Sequence, residues 1–434
     1  MNEEKDRAIL VGLQLNDGSS FEHNLEELES LCQACDIAPV FTITQSLDAP
    51  HQALYIGSGK VHEVKEAATN LDADLIIFDN ALSPSQARNL NLEIGLPILD
   101  RTALILEIFQ SRARSREAKL QVELARLQYL LPRLSGMGTA MSRQGGGSGS
   151  RSNKGAGEKK LELDRRHISH RITECKKELQ TIKKQRVTQR KSRNASQTPS
   201  VALVGYTNAG KSTILNAMLS HYGNDEITDI SHKKVLQEDM LFATLDTTVR
   251  KITIPGKPAF YLSDTVGFID KLPHHLIDAF RSTLEEAISA DLLLQVVDVS
   301  DPYYREHMRV TQDTLNDLGA GDIPMLIVYN KADRLPQFAH DLPIVTGNHI
   351  HMAAGADLGM DALADLILSN LFGKPVTMEL LIPYSQGSLV HRISEAGEVA
   401  KTEYQNDGTY MQVTFTPSVK DHALMQEVAS YRIG

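Results

Sequence analysis

The sequence contains few of the residues that characterise disulfide-bonded, secreted or membrane-spanning proteins. Its 434 residues include no tryptophan, 5% aromatic residues and three cysteines, an odd number that favours a reducing cytosol over a disulfide framework. No uncharged apolar run approaches the roughly 18 residues that a transmembrane helix needs. The polar start of the chain also lacks the apolar core of a signal peptide. We therefore expect a cytoplasmic protein without a membrane span.

The charge of the chain is unevenly distributed. Apolar residues make up 41% of the sequence and charged residues 23%, values typical of globular proteins, and the length predicts two to four domains. The net charge is -10, yet residues 112–193 carry 22 Lys and Arg against 7 Asp and Glu. This segment has a surplus of 15 positive charges, and the rest of the chain has a surplus of 25 negative ones. Such a segment favours a polyanionic partner over a merely solvated pair of charged helices.

Changes in hydrophobic period divide the chain into segments. Short β-branched runs alternate with amphipathic stretches near the start, and leucines at 120, 124, 127 and 131 then follow a helical four-three spacing that Pro132 and Gly136 end. A second helical run is rich in basic residues, and the connection between the two is rich in glycine. The predicted segments are an N-terminal α/β domain with a parallel sheet (1–100), a helical hairpin arm (101–192) with a glycine-rich tip (135–157), a linker (193–199), an α/β P-loop domain with a mainly parallel sheet (200–372) and a C-terminal α+β domain (373–434).

A phosphate-binding loop follows the apolar strand that begins the P-loop domain. The motif G-x-x-x-x-G-K-[ST] needs glycines for a tight turn, a lysine for the β- and γ-phosphates and a hydroxyl for Mg²⁺. An amphipathic helix follows it, as this fold requires. The residues predicted to bind nucleotide here are Gly205, Tyr206, Thr207, Asn208, Ala209, Gly210, Lys211, Ser212 and Thr213.

A second motif selects the base. Asn330, Lys331 and Asp333 form N-K-x-D after an apolar strand. A carboxylate at Asp333 can accept hydrogen bonds from N1–H and from the exocyclic amine of guanine, whereas adenine offers no such pair of donors. The sequence therefore predicts GTP and GDP as ligands. It disfavours a P-loop kinase or ATPase that would use the basic arm for its substrate.

A third motif, D-x-x-G, lies between the other two. Asp264 is expected to hold Mg²⁺ together with Ser212, and the Gly267 N–H is expected to sense the γ-phosphate, with Thr265 and Val266 between them. Upstream, Thr244 in the Phe-Ala-Thr-Leu stretch is the candidate for the second hydroxyl ligand of Mg²⁺. The predicted catalytic set is Lys211, Thr244 and Gly267.

In this order, and with three further stretches, the motifs resemble the HflX family of ribosome-associated GTPases. The stretches are residues 116–124 with the following Leu-Pro-Arg-Leu, Asp164-Arg165-Arg166, and 264–268 running into Leu-Pro-His-His-Leu and residues 279–286. The resemblance implies a cytoplasmic GTPase whose arm engages the RNA of the large ribosomal subunit, and which separates stalled or inactive ribosomes. We expect it to act as a monomer and not to bind DNA. Subunit assembly, or RNA binding by a scaffold with a weakly active GTPase domain, are the alternatives.

Further features of the sequence bear on the expected activity, and the first, Phe268, matches the hydrophobic residue that the resembled family has at this position. Phe268 follows Gly267 where many GTPases carry a water-orienting glutamine, which predicts slow hydrolysis that ribosomes stimulate. Asn208 resembles the asparagine of GTPases that recruit a monovalent cation such as K⁺. Ala353 and Ala354, expected beside guanine, stand where the family usually has Ser-Ala-Lys, and the tip lacks the family's Pro-Gly-Glu-Thr stretch. The residues expected to contact RNA at and behind the tip are Arg143, Arg151, Lys154, Lys159, Lys160, Arg165 and Arg166.

Overall fold

The structure of the chain is a computed structural model. It describes residues 5–15, 20–134, 153–195, 198–223, 242, 247–271, 284–338, 340–373, 376–415, 424 and 427–433, without the side chains of 153–161 and 186–195. None of the helices in these ranges has the length and apolar character that crossing a bilayer requires.

The N-terminal part is a four-stranded parallel sheet with helices on both faces. Its central strand is buried along nearly its whole length, which is typical of parallel strands covered on both sides. The strand order is β2-β1-β3-β4, and every pair is parallel. The elements, in chain order, are β1 Arg7–Gln14, α1 Phe21–Ala34, β2 Ala38–Ser46, α2 Ser58–Asn70, β3 Leu75–Phe78, α3 Pro84–Ile94, β4 Ile98–Asp100 and α4 Arg101–Arg112.

Helix α4, which the sequence pattern groups with the arm, packs on this sheet. Leu104, Ile105 and Phe109 are buried in one core with residues of α1 and β1. The helix begins directly after β4, where the Asp100 carboxylate accepts a hydrogen bond from the Ala103 N–H and so caps its first turn. Its apolar face is therefore committed to the sheet before the arm begins.

The arm is a pair of helices, α5 Arg116–Leu134 and α6 Asn153–Ala195. Leu120, Leu124 and Cys175 form a buried seam between them, and Leu127, Ile172, Leu179 and Ile182 pack against it. Helix α5 runs through Pro132 to Leu134, and α6 begins inside the predicted tip and ends inside the predicted linker. A proline in the last turn is tolerated because little helix follows the hydrogen bond that it removes.

The central part is a seven-stranded, mainly parallel sheet. The strand order is β10-β11-β9-β8-β5-β7-β6, and only the two edge pairs are antiparallel. Because β5, β7 and β9 are parallel, their carboxyl ends bring the three motifs to one edge of the sheet. The elements are β5 Ser200–Gly205, α7 Lys211–Tyr222, β6 Thr248–Ile252, β7 Phe260–Asp264, β8 Leu292–Asp298, α8 Tyr304–Asp317, β9 Met325–Asn330, β10 Ile344–Thr346, β11 His349–His351 and α9 Met360–Phe372.

The C-terminal part is a three-stranded antiparallel sheet in the order β12-β14-β13, with one helix packed on it. Gly408 opens β14 with φ near 158°, and a Cβ built there would lie 2.3 Å from the Ile382 carbonyl oxygen, so only glycine fits. The elements are β12 Val376–Ile382, α10 Gly387–Ala396, β13 Glu398–Gln405 and β14 Gly408–Phe415. The fold class predicted from the sequence is thus confirmed.

The N-terminal and central parts share one hydrophobic core. Phe109, Tyr206, Phe242, Val266 and Ile269 are all buried in it, and we call these five residues the shared core. The rings of Phe109 and Phe242 meet edge to face with their centroids 4.6 Å apart. Residues of the P-loop and of the D-x-x-G segment therefore lie against the N-terminal sheet rather than facing solvent.

Candidate nucleotide-binding site

The P-loop joins β5 to α7 and depends on unusual backbone angles. Gly205, Asn208 and Gly210 all have positive φ, of 145°, 59° and 97°. A Cβ on Gly205 would lie 2.3 Å from the Val296 carbonyl oxygen, and one on Gly210 would lie 2.2 Å from Asn330 Nδ2. Both glycines are thus fixed by close packing as well as by φ, and Thr213 lies in the first turn of α7 behind them.

Lys211 turns its ammonium group into the loop. Its Nζ donates to the carbonyl oxygens of Gly205, at 3.0 Å, and Tyr206, at 2.7 Å. Burial lowers the pKa of this lysine to about 8, although the nearby Asp264 carboxylate opposes the change. A bound phosphate would supply the negative charge that this buried cation lacks.

Ser212 and Asp264 lie together at the ends of α7 and β7. The Ser212 hydroxyl donates to Asp264 Oδ2 at 2.6 Å, and Asp264 is fully buried. An alcohol oxygen beside a carboxylate is the kind of oxygen pair that Mg²⁺ prefers, so these residues fit the ion that the motifs imply. Thr244, the third predicted magnesium ligand, lies outside the described residues.

The N-K-x-D residues connect the P-loop to the next loop. Asn330 donates from Nδ2 to the Ala209 carbonyl oxygen at 2.9 Å and accepts from the Ala354 N–H at 3.0 Å. Lys331 binds the Asn208 carbonyl oxygen at 2.8 Å and is paired with Asp298 at the same distance. The Ala354 contact uses only the backbone, so it does not depend on the serine and lysine that the family usually has here.

Asp333 and Ala353 lie on two neighbouring loops at the end of the N-K-x-D strand. Asp333 is exposed in the short 3-10 helix Ala332–Arg334, while Ala353 is buried at the start of the neighbouring loop. The Ala332 N–H donates to the Met352 carbonyl oxygen at 3.1 Å, so the short helix that carries Asp333 lies beside the loop of Ala353 and Ala354. This arrangement suits an acceptor that reads the edge of guanine.

The D-x-x-G segment runs beside the P-loop in an extended form. Thr265 is fixed by a 2.6 Å hydrogen bond from its hydroxyl to the Leu203 carbonyl oxygen, and Val266 enters the shared core. The Thr207 N–H donates to the Phe268 carbonyl oxygen at 2.8 Å, and the Phe268 N–H donates to the Gly205 carbonyl oxygen at 3.1 Å. Gly267 is consequently held directly against the phosphate-binding turn.

Comparisons with known proteins identify the chain's relatives. The family model described as "50S ribosome-binding GTPase" matches residues 200–331. Models of a GTP-binding GTPase N-terminal region and middle region match residues 22–110 and 112–193. A "GTPase HflX" from Lacrimispora saccharolytica is 41% identical over 96% of this chain and 95% of its own length. The chain belongs to the HflX family of GTPases.

A second HflX protein and a solved structure are also similar to the chain. "GTPase HflX" from Escherichia coli is 38% identical over 93% of this chain and 92% of its own length. A GTP-binding protein from the archaeon Sulfolobus solfataricus, solved in complex with GDP, is 24% identical, covers 84% of this chain and 98% of that structure, and has a TM-score of 0.41. The GTPase family model and the two HflX relatives show that this HflX-family chain is a GTP-binding and GTP-hydrolysing enzyme.

The sequence motifs gave no sign of a buried polar network that joins the N-terminal sheet to the nucleotide site. The Tyr206 hydroxyl donates to Glu27 Oε1 at 2.6 Å and accepts from the Asp270 N–H at 2.8 Å. Arg101 pairs with Glu27, at 2.6 Å, and with Asp79, which Lys271 also contacts. Burial raises the pKa of Glu27, while Arg101 and the Tyr206 hydroxyl oppose that change. The sequence offers one indication of this network, because Arg101 is a charged residue at the start of the largely apolar helix α4.

The predicted RNA-contacting residues belong to the arm of this HflX-family protein. Arg165 and Arg166 are exposed on α6, and Arg166 pairs only with Glu162, four residues earlier, among the ion pairs of the described residues. The backbone of Lys154, Lys159 and Lys160 is helical, but their side chains are outside the description. Arg143 and Arg151 also lie outside the described residues.

Proposed function

We propose that this GTPase binds the large ribosomal subunit through its basic arm and uses GTP to split or rescue stalled and inactive ribosomes. The observation that carries the proposal is the pairing of a GTPase site with a long arm of opposite charge to the rest of the chain. Helix α6 has 43 residues and is therefore about 65 Å long. A thin positive rod can enter an RNA-lined cavity, where phosphate contacts dominate affinity.

The stiffness of the arm supports this role. Arg171 makes two hydrogen bonds to the Glu123 carboxylate, at 2.6 and 2.8 Å, and so links α6 to α5 beside the apolar seam. This hydrogen bonding to Arg171 is the main reason why the pKa of Glu123 is lowered. A braced hairpin can transmit a displacement at its base to its tip, whereas a flexible tether cannot.

The base of the arm lies against the GTPase domain. Lys183 on α6 forms an ion pair with Glu285, which follows the D-x-x-G segment in the chain. Helix α5 follows α4, whose Phe109 contacts Phe242 in the shared core. Because Val266 of the D-x-x-G segment is buried in the same shared core as Phe109, a nucleotide-dependent movement of that segment would reach the base of the arm through this core.

The roles proposed for the nucleotide site follow from its contacts. Lys211 would bind the β- and γ-phosphates, Gly267 would sense the γ-phosphate, and Asp333 would read guanine. Ser212 and Asp264 would hold Mg²⁺, which supplies charge neutralisation of the phosphates when bound. Thr244 would supply the second hydroxyl ligand of Mg²⁺. Asn208, which is exposed in the P-loop, would recruit K⁺. We also propose that the protein acts as a cytoplasmic monomer and that hydrolysis is slow until the ribosome stimulates it.

Sedimentation and light scattering test the proposed function. With a non-hydrolysable GTP analogue the protein should co-sediment with large subunits, and with GTP it should lower the light scattering of intact ribosomes as they separate. Lys211→Ala should abolish the separation. Binding to immature large subunits with no effect on intact ribosomes would favour assembly instead, and absence of binding in every nucleotide state would refute the proposal.

A charge variant with a matched control tests the arm. Arg165→Gln with Arg166→Gln should weaken binding to large subunits and flatten the logarithmic salt dependence by roughly one unit per lost phosphate contact. The control, Lys251→Gln with Lys401→Gln, removes one exposed charge from the central sheet and one from the C-terminal sheet, and it should leave binding unchanged. Intrinsic GTP turnover should be the same in all three proteins. Equal effects of the two double variants would show that net charge, not the arm, governs binding.

A further inference from the structure

The chain hydrolyses GTP without a polar side chain at the residue after the D-x-x-G glycine. Phe268 occupies that position, and its side chain is buried in the core with Ala202, Val204, Leu284 and Leu293. Only its backbone reaches the P-loop. A water molecule that attacks the γ-phosphate must therefore be oriented by another group.

Thr207 offers a hydroxyl with no other described function. The residue is 7% exposed, and its Oγ1 has no hydrogen-bond partner among the described residues. A buried hydroxyl without a partner is unfavourable, and native proteins usually retain one where it binds something else. Its neighbour in the motif, Tyr206, has both hydrogen bonds of its hydroxyl satisfied by protein groups.

The position of Thr207 points to the γ-phosphate. A Cβ built on Gly267 would lie 2.8 Å from Thr207 Cα, 2.9 Å from Thr207 Cγ2 and 3.0 Å from Lys211 Nζ. The Thr207 methyl group, the lysine ammonium and the D-x-x-G glycine thus converge within about one methyl group of each other. Because the Thr207 hydroxyl has no hydrogen-bond partner among the described residues, rotation about Cα–Cβ can bring it into the place of that methyl group. In P-loop GTPases, this lysine and this glycine are the groups that contact the γ-phosphate.

A cavity borders the same residue. It has a volume of about 550 Å³ and opens between α1 and α8, and its walls include Thr207, Asn208, Glu27 and His307. Much of the wall is polar, so the cavity can hold ordered water. Thr207 therefore lies between this polar cavity on one side and the groups that read the γ-phosphate on the other.

We propose that the Thr207 hydroxyl positions the attacking water. The inference deepens the site described above and rests on the P-loop being the phosphate site. The hydroxyl accepts a hydrogen bond from the water and donates its own proton towards a γ-phosphate oxygen. The water oxygen then bonds to the γ-phosphorus while the bond to the β–γ bridging oxygen breaks. The electron pair of that bond leaves with GDP, and a water proton passes to the released phosphate.

Thr207→Val removes the hydroxyl and keeps the branched shape, while Thr207→Ser keeps the hydroxyl. Single-turnover GTP hydrolysis should fall at least tenfold in the valine variant, about the smallest loss that removal of a transition-state hydrogen bond produces, and should stay within about threefold of wild type in the serine variant. The Kd values of fluorescent GDP and of a non-hydrolysable GTP analogue should change by less than about threefold in both. Affinity for GDP with aluminium fluoride should fall in the valine variant only, in parallel with the rate.

Three results would overturn the inference. The first is wild-type hydrolysis in the valine variant, and the second is a serine variant as slow as the valine variant. The third is a loss of GDP affinity as large as the loss of rate, because that would assign Thr207 to the shape of the loop. If Thr207→Val unfolds early on heating, Thr207→Ala with the same measurements replaces it. The assignment of the P-loop as the phosphate site is tested separately: it would be wrong if Lys211→Ala kept wild-type affinity for GTP.

Discussion

Replacing Arg101 by methionine tests the junction between the N-terminal sheet and the GTPase domain. The guanidinium is 1% exposed and contacts the carboxylates of Glu27 and Asp79 at 2.6 and 3.2 Å. It also donates to the carbonyl oxygens of Asn24, at 3.0 Å, and Asp270, at 3.3 Å. Methionine has a similar volume, so Arg101→Met removes charge and hydrogen bonds while filling most of the space.

The expected cost follows from the two acids that remain. Removing one partner of a buried ion pair typically destabilises a protein by about 3–5 kcal/mol, because a buried charge is left without a partner. Burial already raises the pKa of Glu27 above 4.5, and loss of the opposing arginine should raise it further. The folded variant therefore takes up a proton on Glu27 more readily than the unfolded chain does. Its deficit in stability should be largest at neutral pH and should shrink as the pH falls towards 4.5.

Urea unfolding at several pH values measures this effect. Arg126→Met is the matched control, since Arg126 is 46% exposed and its 3.6 Å ion pair with Glu107 should contribute less than about 1 kcal/mol. Adding Glu27→Gln to Arg101→Met should recover part of the loss at neutral pH. A loss below about 1 kcal/mol for Arg101→Met, or a loss independent of pH, would refute the view that a buried charge network holds the junction.

Three further predictions concern the nucleotide site and its surroundings. Asp333→Asn should bind xanthosine triphosphate in preference to GTP, because the C2 oxygen of xanthine replaces the exocyclic amine of guanine. Competition binding checks this, and an unchanged preference for guanine would remove Asp333 from the base site. Lys211→Ala should abolish GTP turnover because the main phosphate cation is lost, and phosphate release within a few-fold of wild type would contradict that. His307 Nε2 lies 2.9 Å from His23 Nε2, and burial lowers the pKa of His307 below its ordinary 6.5. Neutral His307 therefore stabilises the junction above pH 6.5, and this contribution is lost as the pH falls through the lowered pKa. His307→Gln should flatten the pH dependence of the unfolding midpoint in that range, and an unchanged profile would contradict the assignment.

Much of the fold and several contacts of the site could be predicted because they depend on short stretches of sequence. The turn Gly205 to Ser212 and the strand before it are local, and so is the spacing of Asn330 and Asp333. Parallel strands then bring their carboxyl ends to one edge whatever lies between them. The bounds of α6 were harder to predict, because no residue between Lys154 and Ala195 is a strong helix breaker except glycine.

The sequence by itself determined the division into α/β, helical and α+β parts, the GTPase motifs and the basic arm, since hydrophobic period, motif spacing and charge are properties of neighbouring residues. Only the tertiary structure decided that Tyr206 reaches Glu27, 179 positions away, and that α4 packs on the N-terminal sheet. It also decided that Thr207 packs against Gly267 and that its hydroxyl is buried without a partner among the described residues. Such contacts depend on how the surfaces of the N-terminal and central parts pack together, and no pattern of neighbouring residues in the sequence specifies that packing.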